Sequence, residues 1–314
     1  MSFLGHDHHI NKFNILSTML FFGCFLLGPQ LLSTGKLWAF DDQDLEYFQQ
    51  NKKCSGCDLT GVNLASLYFE EDDLIEVDLS GSNLENADLS WANLTRANLS
   101  SANLSHSVLR LTNLTEATLQ KANFFEADLT GANLERANLS QATLEYANLT
   151  EVNLTRANLQ EALLNFSFLT GAILIAANLD GAIIESADLG RANLKKSSLQ
   201  KVNLSWANLQ LATLVSANLS NSDLRLASLS QANLSNALLA YANLQQAIIR
   251  DANLSFSSFF KANLTEADLS RSNLSGADFN AANLEQAQFQ NTLLCQFPDN
   301  LQKPADVKCS STVP

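Results

Sequence analysis

The chain has 314 residues, of which 46% are hydrophobic and 16% charged, with a formal net charge of −13. That acid excess excludes a nucleic-acid partner held by neutralised phosphates, because few cations are present to displace counterions. Beyond the first nine residues His106 is the one histidine, which excludes a Ser/His/Asp or Cys/His constellation in the body of the chain and makes a non-enzymatic role the expectation.

In chain order, an apolar run comes first, Ile15 to Leu32 (ILSTMLFFGCFLLGPQLL), with Lys12 ahead of it. Residues 1–39 read as a signal peptide cut after Ala39, or as an uncleaved membrane anchor, since such a run nearly spans a bilayer. Either places the rest of the chain outside the cytoplasm, with a membrane engaged only through this segment. His6, His8 and His9 precede the run and are not expected to hold a metal. Residues 40–53 come next as a capping segment, in which Asp41 to Asn51 (DDQDLEYFQQN) reads as a short helix, acidic at its N-terminus, with Leu45 and Phe48 as its apolar members.

From Leu59 to Leu294 every fifth residue is apolar, at 48 positions without a slip: 41 leucines, five phenylalanines and two isoleucines. A period of five gives no single apolar face on an α-helix or on a continuous strand. It does so if the chain turns a corner every five residues. The residue two before each apolar one is small at 46 of 48 sites, as in Ala87, Ala92 and Ala97, and points the same way on an extended segment. Between them stands an outward Asn or Asp at 32 of 48 sites, and the remaining two residues, such as Thr130 with Gly131, carry the bend.

Stretches such as Ala127-Asp128-Leu129-Thr130-Gly131-Ala132-Asn133-Leu134 closely resemble the motif of the pentapeptide-repeat family, over about three quarters of the chain. The resemblance implies an all-β fold, a right-handed quadrilateral β-helix with four repeats to a coil. Residues 54–294 would then form a rod of about 12 coils, roughly 58 Å long at about 4.8 Å per coil. The opening Cys54-Ser55-Gly56-Cys57-Asp58-Leu59 is similar to that of exported cyanobacterial members, which implies a periplasm or thylakoid lumen.

On such a rod Leu45 and Phe48 can plug the first coil, whose strand edges would otherwise pair with other chains. The tail, residues 295–314 with Pro298 and Pro304, leaves the repeat and is expected to fold over the last coil. A rod sets its two ends tens of ångströms apart, and a disulfide needs Cα atoms within about 7 Å, so the expected pairs are Cys54 with Cys57 and Cys295 with Cys309. A redox role for Cys54 and Cys57 lacks the surrounding βαβ pattern. Leu67 and Asp72 break the small-residue rule within Glu70-Glu71-Asp72-Asp73, which calls for a local departure of the backbone or a neutralising cation.

Aligned at 20-residue spacing, one corner column reads His106, Glu126, Tyr146, Phe166, Ser186, Trp206, Leu226, and the outward column beside it holds Leu163 and Ile183. Tyr146, Leu163, Phe166, Ile183, Trp206 and Leu226 would share one face and form the candidate partner-binding surface. Another corner column carries Arg96, Arg136, Arg156 and Lys196. The reading is an exported structural or protein-binding solenoid, engaging an unidentified protein or itself, with no cofactor, catalytic or metal site. The alternative implied by the resemblance is a DNA-mimicking inhibitor of a type II topoisomerase, which the leader and the basic column oppose.

Overall fold

The computed structural model describes residues 42–51 and 53–293. Residues 1–39, Leu294, Cys295, Cys309 and the rest of the tail lie outside the described residues.

Helix α1, Asp42–Asn51, leads into a right-handed quadrilateral β-helix. Its construction is visible in one repeat. Leu154 N–H donates to the Ile173 carbonyl at 2.7 Å and Asn153 N–H to the Ala132 carbonyl at 2.9 Å, so each side bonds to the coil on both flanks. The turn is closed by Ala157 N–H on the Leu154 carbonyl at 3.0 Å, four residues making a β-turn. Parallel bridges join residue n to n+20 from Lys53↔Asp73 to Asn273↔Leu293, so four such turns complete a coil.

The five positions of the repeat acquire distinct duties from this geometry. The two inward residues fill the core: Leu89, Ala92, Leu94 and Ala97 are fully buried, as are their equivalents through the middle of the rod, while Leu67 and Asp72 in the first coil and Ala282, Leu284 and Ala287 in the last are less so. Leucine from each side meets in the centre, and alanine leaves room for it near the corners. The outward Asn serves both its own turn and the stack. Asn153 Oδ1 accepts the Thr155 N–H at 3.1 Å and the Thr155 hydroxyl at 2.7 Å, while Asn153 Nδ2 donates to Asn133 Oδ1 at 2.9 Å. The last residue of each repeat has a left-handed φ, from Gly56 through Asn291.

At the N-terminal end α1 lies against the first coil. Phe48 is buried and stacks on Phe69 with ring centroids 5.5 Å apart, and Asp58 N–H donates to Asp44 Oδ2 at 2.8 Å. Leu45 packs against the core. Cys54 and Cys57 are joined by a disulfide with Cα atoms 5.3 Å apart.

The expectation of a distorted backbone or a bound cation around Asp72 is corrected. The ladder runs through undisturbed, with Asp72 N–H on the Phe69 carbonyl at 3.0 Å and Asn93 N–H on the Asp72 carbonyl at 2.9 Å. Among the described residues no group of His, Cys, Asp and Glu side chains is arranged to hold a metal. Leu67 is instead 41% exposed and Asp72 half-exposed. The first coil has no preceding coil to confine these side chains, so Leu67 turns to solvent and Asp72 is accommodated half-buried, its Oδ2 enclosed, without distorting the backbone. No helix among the described residues is long and apolar enough to cross a membrane.

Candidate interaction surface

Since the interior is filled by the repeat, recognition chemistry must sit on the outside, where a residue's neighbours are those 20 positions away. The corner column from His106 to Leu226 is the most aromatic edge of the middle of the rod. Tyr146 and Phe166 stack there with centroids 5.1 Å apart and planes within 11°, although both remain nearly half exposed, at 47% and 45%. Phe125 extends the stack edge-on to Tyr146 at 5.7 Å, and His106 meets Phe125 at 5.7 Å.

Phe125 is not apparent from the corner column in the sequence, because it precedes the corner by one residue. Aligning both turn positions at the same spacing brings it into view.

Leu163 and Ile183 stand on the adjoining side, paired across neighbouring coils. Both replace the outward Asn and interrupt its ladder. Ile183 is exposed and Leu163 half-buried. Two further replacements, Phe168 and Ile173, are exposed on the next two sides of the same coil and are absent from the face expected from sequence. The apolar residues thus wrap part of the rod rather than keeping to one face. Trp206 is 60% exposed but stands two coils beyond Phe166, past Ser186, and Leu226 is half-buried.

Carboxylates border this edge. Glu126 lies 3.3 Å from His106 Nδ1, Glu145 Oε1 accepts from Asn165 Nδ2 at 3.0 Å, and Glu185 Oε2 accepts from Asn203 Nδ2 at 3.3 Å. The amides orient both glutamates along the edge without neutralising them.

The basic column behaves differently along its length. Arg96 is paired to Glu76 at 2.7 Å and Arg136 to Glu116 at 3.1 Å, so the first half is internally compensated. Among the described residues Arg156, Lys195 and Lys196 form no ion pair. Nearer the C-terminal end, the Lys261 ammonium lies over the Tyr241 ring at 5.4 Å and the Phe260 ring at 5.2 Å, with exposed Leu238 and Phe256 nearby in the repeat order. The buried-edge aspartates serve the rod itself. Burial raises the Asp128 pKa, but hydrogen bonds from Thr130 and the Arg110 guanidinium at 2.6 Å outweigh it and hold the carboxyl below its ordinary value.

A family of known proteins shares this repeat. The family model described as pentapeptide repeats matches residues 53–90, 92–131, 119–160, 153–191, 187–225, 227–265 and 257–296. Among solved structures, HetL, a pentapeptide repeat protein involved in heterocyst differentiation regulation from the cyanobacterium Nostoc sp. strain PCC 7120, is 30% identical. The match covers 80% of this chain and 94% of that one, with a TM-score of 0.33. The pentapeptide repeat protein Rfr23 from the cyanobacterium Cyanothece 51142 is 34% identical over 38% of this chain and 92% of its own, with a TM-score of 0.24. QnrB1, a plasmid-mediated fluoroquinolone resistance protein, is 16% identical over 74% of this chain and 92% of its own, with a TM-score of 0.35. The comparison with curated proteins returned no match.

Proposed function

The chain belongs to the pentapeptide-repeat family, and on that premise we propose that it is a non-enzymatic rod that binds protein through the aromatic edge between Phe125 and Leu226, outside the cytoplasm. The observation that carries this reading is the Tyr146–Phe166 stack, two aromatic rings left nearly half exposed at corners where most repeats place polar residues. Exposed aromatics on a preordered backbone are effective anchors, because little conformational entropy is lost when a partner docks. Leu163 and Ile183 widen the apolar contact, and Glu145 and Glu185 supply a charged rim that sets orientation.

Export is supported by the apolar leader and by the disulfide between Cys54 and Cys57, a bond that persists in oxidising compartments such as a periplasm or thylakoid lumen. Mimicry of DNA toward a topoisomerase requires an unbroken acidic surface. Arg156, Lys195 and Lys196 break that surface.

The test replaces Phe166 and Trp206 together by serine in a tagged full chain expressed in its native cells, followed by cross-linking. Loss of the cross-linked species, with an unchanged circular dichroism spectrum, is the expected result; undiminished cross-linking would remove the reading. Intact mass of the same material reports the compartment: a mature chain beginning near Phe40 fits a cleaved leader, and a full-length soluble cytoplasmic chain refutes export.

A further inference from the structure

We propose that the aromatic edge docks a second copy of this chain, which seats its basic edge there with the two rods parallel and in register. The inference rests on the protein-binding reading above and names the partner.

Two edges of a four-sided coil that are ten residues apart lie diagonally opposite each other. Tyr146 and Arg156 stand in that relation, as do Phe166 and Ala176, and Ser186 and Lys196. Along the aromatic edge, three successive coils present Glu145 with Tyr146, Asn165 with Phe166, and Glu185 with Ser186. At the same three levels the opposite edge presents Arg156, then Ile175 with Ala176, then Lys195 with Lys196. The order acid, apolar, acid thus faces base, apolar, base at a common spacing of one coil, about 4.8 Å. Translating one rod along its own diagonal sets Glu145 against Arg156, Phe166 against Ile175 and Ala176, and Glu185 against Lys195 and Lys196.

The groups are available for this. Arg156, Lys195 and Lys196 are exposed, and the ion pairs that occupy the column stop at Arg136. Glu145 and Glu185 are held in place by Asn165 and Asn203, and each retains acceptor capacity.

Because the two surfaces differ, the contact is heterologous, and a pure translation never closes, so the assembly is an open row of rods. The net charge of −13 opposes association. That repulsion is spread over the rod and screened beyond about 8 Å at physiological ionic strength, whereas the matched pairs lie in contact.

The experiment is sedimentation velocity of the full chain across a range of concentrations. Wild type is expected to form larger species at about 0.15 M salt, weakened at least about tenfold in dissociation constant at about 1 M. Glu145→Lys with Glu185→Lys, and Arg156→Glu with Lys195→Glu and Lys196→Glu, are each expected to be monomeric alone. Mixed in equal amounts they should associate again, since each offers two like edges that the other complements. Folding is protected, because Lys195 and Glu151 show that lysine before the corner and glutamate at the corner are already accommodated.

A wild type that stays monomeric, variants that associate as wild type does, or a mixture that stays monomeric would each overturn the inference. Both charge variants keep Phe166 and Trp206. A wild type that stays monomeric yet binds a different protein, one lost on Phe166→Ser with Trp206→Ser but retained by the charge variants, would therefore sink self-association and leave the protein-binding reading intact.

Discussion

The corner residue of each repeat bears the steric cost of the fold. Its φ is positive even where the side chain is Trp91, Phe166, Trp206 or Leu211, near 60° in each case. A left-handed residue costs about 1–2 kcal/mol when it carries a Cβ, and β-branching makes the clash worse. From Gly56 to Asn291 no corner is Val, Ile or Thr, although Thr150, Ile175 and Val215 stand one position earlier, where φ is not left-handed. Lys195 and Lys196 offer a direct comparison of the two positions. Lysine already carries a Cβ, so only the added clash of β-branching differs: Lys196→Val should lower unfolding stability by about 1 kcal/mol and Lys195→Val by less than about 0.5 kcal/mol. Denaturant midpoints measure both, and equal effects would refute the strain argument. Glycine at Gly276 answers a second demand, since a Cβ there would come within 2.6 Å of the Phe256 ring of the preceding coil. The exclusion of β-branched residues is written in the sequence, yet it is legible only once the turn is known to hold one left-handed residue rather than a general bend.

At the scale of elements, each coil is stabilised by its two neighbours, so the end coil depends on its cap. Helix α1 provides that cap through Phe48 on Phe69 and Asp44 on the Asp58 amide. Phe48→Ala removes a buried ring, a change that costs about 3–5 kcal/mol in a well-packed core. In a one-dimensional array the loss stays local. Hydrogen exchange should therefore lose protection at the amides of Leu59, Leu64 and Phe69 while Leu154 and its neighbours are unchanged. A uniform loss along the rod would show instead that the array unfolds as one cooperative unit. The cap is readable from the pattern of Leu45 and Phe48 ahead of the first repeat. The behaviour of Leu67 and Asp72 is not, because the inward-small rule assumes a coil on both sides, and the first coil has one. A different limit applies to Phe168 and Ile173, which have a coil on both sides. The repeat marks each as an outward position but does not say that successive replacements go round one coil.

For the whole molecule, the period of five identifies the core through the middle of the rod, where each coil repeats the same burial, and loosens at Leu67 and Asp72 in the first coil and at Leu284 in the last. Surface function is less legible. It depends on which residues fall 20 apart, and that requires the four-sided coil that the period alone does not supply. Charge is distributed by the same rule, and it sets the response to acid. Asp268 has a side chain only 9% exposed. Burial raises its pKa, but hydrogen bonds from Ser270 and the Arg250 guanidinium at 2.5 Å outweigh that and leave it below the ordinary 3.8. Asp78, Asp128 and Asp223 are lowered in the same sense, burial again being outweighed by hydrogen bonds. A carboxyl with a depressed folded pKa binds protons more weakly in the rod than in the unfolded chain. Its contribution is therefore fully present above the unfolded value, near 3.8, and is lost as pH falls through the lower folded value. Stability should be flat in this contribution at neutral pH and decline below about pH 4. Arg250→Met removes one of the partners that hold Asp268 down. The folded pKa then rises toward 3.8 or above, so the variant should be less stable than wild type at pH 7 but lose less on going from about pH 7 to about pH 2.5. Denaturant midpoints at the two pH values give the difference directly. Equal losses in wild type and variant would mean that Arg250 exerts no protonation-linked hold on Asp268, and that the acid response belongs to the hydrogen-bonded aspartate turns alone.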